Sequence, residues 1–243
     1  MTELVRSEVR NFIRTITLDH APGNAIDGAL MVKLLEIMPI ANHDWATRVI
    51  VLESAIHGIF SLGEDYTAPK PPPNEPRDSF GVPSTYDALV RHAFRGIWDA
   101  KWPVIAKVKG TAIGNGLLLA ALADIAVVSD TALVGMPDGR SDIVNGATVL
   151  RRCLSEQAVR YLIWSARTVE AKDLRALGCG MVIVPEDDVD ATVDALAKDV
   201  AAQDPHLLRH RKVSLTELEG DNPLAGHAVE QRYTALVRAK REY

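Results

Sequence analysis

Residues 101–128 constrain the fold more than any other stretch of this chain. Lys101-Trp-Pro-Val-Ile-Ala-Lys-Val108 has the apolar, β-branched character of a buried strand, and Ile125-Ala-Val-Val128 has it again. Between them Gly110-Thr-Ala-Ile-Gly-Asn-Gly116 turns into an unbroken apolar run, Leu117-Leu-Leu-Ala-Ala-Leu122, which reads as a helix starting near Asn115. The same alternation runs through the rest of the chain. Phe12-Ile-Arg-Thr-Ile-Thr-Leu18 alternates as a half-buried strand, and Asp19-His-Ala-Pro-Gly-Asn24 is a turn. Leu30, Leu34, Leu35 and Met38 have helical spacing, with a stop expected near Pro39. Arg48-Val-Ile-Val-Leu-Glu53 and Met181-Val-Ile-Val184 are further candidate strands. Strands alternating with helices imply an α/β architecture. From about Asp188 the chain turns helical and more charged, so the expected organisation is a core domain over 1–187 and a separate helical region over 188–243.

A chain of 243 residues can bury a full core. Its net charge of −5, with no basic block to neutralise phosphates, excludes a general nucleic-acid partner. Cys153 and Cys179 have neither pairing nor metal spacing, which favours a reducing, cytoplasmic setting. The N-terminus lacks an apolar signal core and no segment reaches about 20 apolar residues, so neither export nor a membrane partner is expected. The proline-rich stretch between Pro69 and Pro83 is incompatible with helix or central strand. It reads as a surface loop bordering a pocket, or alternatively as a polyproline ligand.

Gly110, Gly114 and Gly116 let main chain approach a ligand closely, and the helix N-terminus behind them favours an anion. Two familiar glycine motifs fail here. A P-loop needs Lys-Ser/Thr after the turn, where Leu117-Leu118 stand, and the dinucleotide fingerprint needs a glycine at Leu119. A transient oxyanion fits better, since it needs N–H donors and no side-chain cation; the alternative is helix–strand packing without a ligand. Phe60-Ser-Leu-Gly-Glu-Asp65 again sets a glycine at a strand end. Two such loops at neighbouring strand ends can each lend one N–H to a single oxygen.

Taken in order, these pieces resemble the enoyl-CoA hydratase/isomerase (crotonase) superfamily. The likeness rests on Lys101–Gly110, Ala112-Ile-Gly-Asn-Gly116 and Ala123-Asp-Ile-Ala126, with Leu18-Asp-His-Ala-Pro-Gly-Asn-Ala25, Phe60–Asp65 and Thr168–Gly178, over about residues 10–200. It implies a crotonase-like spiral of ββα units with a C-terminal helical trimerisation region, assembled as a homotrimer or a dimer of trimers. It implies an acyl thioester substrate with coenzyme A as part of that substrate and no permanently bound cofactor. The carried-over oxyanion donors are the N–H groups of Glu64 and Asn115. Asn24, Ala25, Leu62, Gly63 and Gly114 would line the adenine and pantetheine arm.

The chain departs from the hydratase pattern at its chemistry. The family's first catalytic glutamate, two residues past the glycine turn, is Leu118 here, and the second aligns with Asp138 in Gly135-Met-Pro-Asp-Gly-Arg140. Asp138 is either a proton carrier or a turn aspartate in Pro-Asp-Gly. A positioned acid or base is worth roughly 10²–10⁴ in rate, so a chain lacking one is expected to be an isomerase or lyase rather than a hydratase. Decarboxylating members also carry apolar residues after the turn, similar to Gly116-Leu-Leu-Leu119, and Val144-Asn-Gly-Ala-Thr148 is similar to a segment of theirs. Two alternatives stand beside this. One is a coenzyme A-independent β-diketone hydrolase, for which His227 and Glu230 on a C-terminal helix would be candidates; the other is a non-catalytic thioester-binding or oligomer subunit. Tyr66 and Asp142 are further candidate catalytic residues. His206 and His210 have i, i+4 spacing but no accompanying acid, so no metal site is expected. The run His206–Lys212 reads as a solvated basic face that could meet coenzyme A phosphates.

Overall fold

The computed structural model describes residues 4–64, 86–137, 146–219, 226 and 229–233. Its frame is a six-stranded sheet in the order β1-β2-β3-β5-β7-β10, formed by β1 (Val5–Arg10), β2 (Ile13–Leu18), β3 (Val49–Ser54), β5 (Val104–Val108), β7 (Ile125–Ser129) and β10 (Val182–Val184). A second sheet, β4-β6-β8-β9, joins β4 (Ile59–Ser61), β6 (Thr111–Ile113), β8 (Leu133–Gly135) and β9 (Thr168–Glu170). The inner strands pair in parallel; among the described residues only the β1–β2 and β8–β9 ladders are antiparallel.

Parallel strands covered on both faces are apolar throughout, and β3 shows why. Val49, Ile50, Val51 and Leu52 are all buried, yet alternate residues serve different layers. Ile50 and Leu52 join the main core with Leu30, Leu34 and Met38 of α1 (Gly28–His43), Val90 and Phe94 of α2 (Tyr86–Trp98), and the whole apolar flank of α3 (Asn115–Ala121). Val149 and Leu150 of α4 (Ala147–Leu150) and Val159 and Leu162 of α5 (Glu156–Ser165) close the same core. Val49 and Val51 face the other way, with Ile105 and Val127, onto Val189, Val193, Ala197 and Ala201 of α6 (Val189–Ala201). The first helix of the C-terminal region thus forms the second cover of the sheet.

Three local results differ from the sequence expectations. The edge strand β1 carries almost no signal, because only Val5 of its six residues is buried; the two-residue turn at Asn11 and Phe12, both at positive φ, pairs it with β2. Helix α1 does not stop near Pro39 but runs through it to His43. A proline costs the helix one hydrogen bond, and tertiary partners offset that loss. Met38 and Ala41 are buried, Trp102 Nε1 donates to the Ala41 carbonyl at 3.1 Å, and Lys101 N donates to Asn42 Oδ1 at 2.8 Å.

The third concerns the run His206–Lys212 in α7 (Pro205–Leu218), which is only in part a solvated basic face: His206, His210 and Arg211 are exposed, but two of its cations have partners within the fold. Lys212 is 3% exposed and donates to both oxygens of Asp124, at 2.7 and 2.9 Å. Arg209 stacks 4.8 Å from the Trp45 ring and 4.9 Å from the Trp102 ring, so it is spent inside the protein as well. Charge at i, i+4 spacing is blind to such tertiary partners.

Candidate active site

The site is built from three backbone segments, each ending a strand or a turn. Strands β4 and β6 pair in parallel with Ser61 opposite Ala112, and Glu64 and Asn115 each stand three residues beyond that pair. Gly63, at φ +81°, lies so close to the second loop that a β carbon on it would sit 2.7 Å from Ile113 O and 3.3 Å from Asn115 N. Gly116 in turn lies against Ser61, where a β carbon would fall 2.4 Å from the Ser61 carbonyl oxygen. Glycine at these positions is a steric requirement of the junction.

The third segment is the turn at 23–26. Leu62 N donates to Gly23 O at 2.9 Å, Ile26 N donates to Gly63 O at 2.7 Å, and Ser61 Oγ donates to Asn24 O at 2.7 Å. The Leu62 side chain covers Gly23, leaving no room for a β carbon there. Thus Asn24, Ala25, Leu62, Gly63, Glu64, Gly114 and Asn115, seven residues singled out from the sequence, meet at one place.

Their side chains have unequal freedom. Asn24 is fully buried at φ +48°; its amide donates to Ser54 Oγ at 2.8 Å and Phe60 O at 3.0 Å, and its Oδ1 accepts from His20 N at 2.8 Å. That side chain braces the turn instead of facing outward. Leu62 is 39% exposed and Ala25 is half-buried, so these two present surface beside the loops.

Helix α3 is buried along all seven residues, with Gly114 at its N-cap offering no side chain. Gly114 N donates to Gly135 O at 3.0 Å, which ties the turn to β8, the strand that leads to Asp138. At the other end, Arg152 Nη1 donates to the carbonyls of Ala121 at 2.9 Å and Leu122 at 2.5 Å, a cation at the negative pole of the helix. Arg152 also pairs with Glu219, which accepts from Trp98 Nε1 at 2.7 Å. Burial pushes the Glu219 carboxyl up, but the Arg152 and Trp98 hydrogen bonds and the Arg152 charge outweigh it and hold it below the usual glutamate range.

Leu118 is 0% exposed, one helical turn beyond Asn115, with Met136 and the backbone of Gly146 beside it. Leu118, which the sequence resemblance sets opposite a hydratase's first glutamate, is a core position. Glu230 reaches this region from the C-terminal segment and binds main chain there: Oε2 accepts from Gly146 N at 2.8 Å and Oε1 from Thr148 N at 3.3 Å. Asp138, Asp142, Tyr66 and His227 lie outside the described residues.

Sequence reasoning missed Ser61, Arg152 and Glu219. Ser61 lies inside the Phe60–Asp65 motif without standing out from it. The Arg152–Glu219 pair spans 67 residues, and nothing in either neighbourhood signals the other. Elsewhere, a cavity of about 250 Å³ at the β3 and β5 ends is lined by Ser54, His57, Lys107, Lys109 and Glu186. Its lysines are already paired, Lys107 with Glu53 and both with Asp190, so it is not an evident phosphate site. Among the described residues no helix is long and apolar enough to cross a membrane.

Comparison with known proteins bears on the family and the fold. The sequence profile described as enoyl-CoA hydratase/isomerase matches residues 8–240. Two bacterial relatives carry the name (7aS)-7a-methyl-1,5-dioxo-2,3,5,6,7,7a-hexahydro-1H-indene-carboxyl-CoA hydrolase. The one from Rhodococcus jostii is 28% identical over 91% of this chain and 84% of its own. The one from Mycobacterium tuberculosis is 29% identical over 91% of this chain and 87% of its own. The solved enoyl-CoA hydratase of Mycobacterium smegmatis superposes with a TM-score of 0.80 at 21% identity, covering 97% of this chain and 85% of that one.

Proposed function

The chain belongs to the enoyl-CoA hydratase/isomerase (crotonase) superfamily, and from that membership we propose an enzyme that acts on an acyl-CoA thioester through a stabilised enolate, as an isomerase or lyase rather than a hydratase. The thioester carbonyl oxygen sits between the N–H groups of Glu64 and Asn115. The observation that carries this reading is the junction of the 61–64 and 113–116 loops in front of a buried Leu118. Two main-chain donors stabilise charge that develops on the oxygen; each is worth roughly 10²–10³ in rate. Leu118, sealed in the core, holds no water and moves no proton, so addition of water across a double bond loses one of its two carboxylates.

What remains suits reactions that need the enolate and one proton carrier. In double-bond isomerisation Asp138 removes a proton beside the carbonyl and returns it along the chain. In decarboxylation the breaking C–C bond leaves its electrons on the carbonyl, and a single proton then completes the product. Ala25 and Leu62 would flank the pantetheine arm, with Asn24 shaping the turn from within. The exposed Leu207, Leu215 and Leu218 of α7 offer apolar surface for self-association as a trimer or a pair of trimers.

A second reading is favoured by the two bacterial relatives, whose names describe hydrolases of a coenzyme A-linked bicyclic dione. In this reading water adds to a ring ketone, the bond to the carbon next to the thioester breaks, its electrons enter the thioester as the enolate, and a proton then returns to that carbon. The same two donors would hold that oxygen. This differs from a coenzyme A-independent hydrolase, because the thioester itself is the electron sink.

The test is product analysis by mass spectrometry with four thioester classes: 2-enoyl, 3-enoyl, malonyl-type and cyclic β-diketo acyl-CoA. Turnover of one of the last three, with hydration of the 2-enoyl substrate slower by at least about 100-fold, is the expected result. Efficient hydration would overturn the reading. Acyl-CoA binding without any product would favour the non-catalytic alternative.

A further inference from the structure

We propose that Glu230 is a positioning residue that sets acyl-group selectivity by fixing the Gly146–Thr148 turn against Leu118. Helix α4 is one turn long, and Gly146 at its N-cap supplies no side-chain acceptor for the orphaned N–H groups. Glu230 supplies it from 84 residues away: one carboxylate oxygen takes Gly146 N, the other Thr148 N. A carboxylate at a helix N-terminus is favoured by both hydrogen bonding and the helix dipole.

The surrounding contacts leave this turn little freedom. Gly226, on the same C-terminal segment, is pressed so closely to Thr148 that a β carbon on it would lie 2.2 Å from Oγ1. On the opposite side, Gly146 at φ +96° abuts the interior; a β carbon there would meet Met136 Cε at 2.7 Å and Leu118 Cδ2 at 3.1 Å. Glu230 and Gly226, turn 146–148 and side chain 118 therefore form one packed series. It ends at Leu118, one helical turn beyond Asn115.

This rests on the proposal that an acyl-CoA binds at Glu64 and Asn115. Under it, Leu118 backed by the 146–148 turn is a wall of the acyl pocket, and Glu230 decides how firmly that wall is held. Acetyl-CoA barely reaches the wall, whereas a branched or cyclic acyl-CoA presses on it. Steric discrimination of a few carbons in an apolar pocket is worth about 10–200-fold.

The experiment is calorimetric measurement of dissociation constants for acetyl-CoA and a cyclohexanoyl-type acyl-CoA with the wild type, Glu230→Ala and Glu230→Gln. Glu230→Ala should change the ratio of the two constants by about tenfold or more. Glu230→Gln, retaining one acceptor oxygen, should fall between it and the wild type, and it carries the test if the alanine variant does not fold. A purely structural role for Glu230 would weaken both ligands equally; an unchanged ratio in wild type and folded variants overturns the proposal while leaving the acyl-CoA reading intact. Failure of the wild type to bind either thioester overturns both.

Discussion

Gly116 and Ser61 are in backbone contact: any side chain on Gly116 would have to displace the Ser61 carbonyl, with only 2.4 Å between that oxygen and a β carbon. This contact holds the 61–64 loop beside the first turn of α3 and sets the spacing of the proposed oxyanion donors. Gly116→Ala is therefore expected to cost about 1–3 kcal/mol of stability by overpacking and to lower turnover by about 10²-fold or more, as loss of one donor does. Calorimetry and steady-state rates on the same preparation check both. Unchanged turnover would separate the junction from catalysis.

Leu118 offers a second test of the same helix. Leu118→Ala leaves a cavity in a fully buried position and should cost about 2–5 kcal/mol in urea unfolding. Leu118→Glu should be destabilised as well, because its carboxylate would enter the apolar surroundings of Met136 and Gly146. A glutamate variant as stable as the wild type, with new hydratase activity, would show that the position opens to solvent.

Acid should loosen the clamp behind α3. Glu219 is held below the ordinary glutamate value of 4.5; burial alone would raise it, and the bonds from Arg152 and Trp98 bring it down. A group whose folded pKa is depressed binds fewer protons when folded. Its contribution is present above pH 4.5 and lost as pH falls through the lower folded value. Melting temperatures of wild type and Glu219→Gln should differ above that pH and converge below it. Parallel curves across the whole range would remove Glu219 from the acid response.

Cys153 should be an unreactive thiol. Burial first, and then the neighbouring Cys179, push its pKa up to about 12. Cys179 is also raised by burial. Since the thiolate is the nucleophile, labelling of the native protein by a disulfide reagent at pH 8 should be at least about 100-fold slower than that of free cysteine. Both thiols should react at once after unfolding. Rapid native labelling would mean that this region opens.

The legibility of the sequence followed the range of the interactions. Strands β3, β5 and β7 are β-branched runs buried on both faces, so composition alone marks them. The glycines at 63, 114 and 116 marked the loop junction of the candidate site because main-chain proximity leaves its trace in the residue itself. Strand β1, with one buried residue in six, left almost none. The same holds for Pro39 inside α1 and Lys212 inside α7, where distant partners override local preference. Glu230 stood out for its position, but its partners, Gly146 N and Thr148 N, are main-chain atoms more than 80 residues away that no pattern could name.

The packing of α6 on β3, β5 and β7 has a consequence for how the protein is made. Val49 and Val51 leave the ribosome some 150 residues before Ala201, so that face of the sheet stays bare through most of synthesis. A chain released between Val184 and Val189 would carry the strands and both glycine loops, yet expose an apolar stripe of Val49, Val51, Ile105 and Val127. Premature stops shortly before that helix should yield insoluble chains and not shortened enzymes.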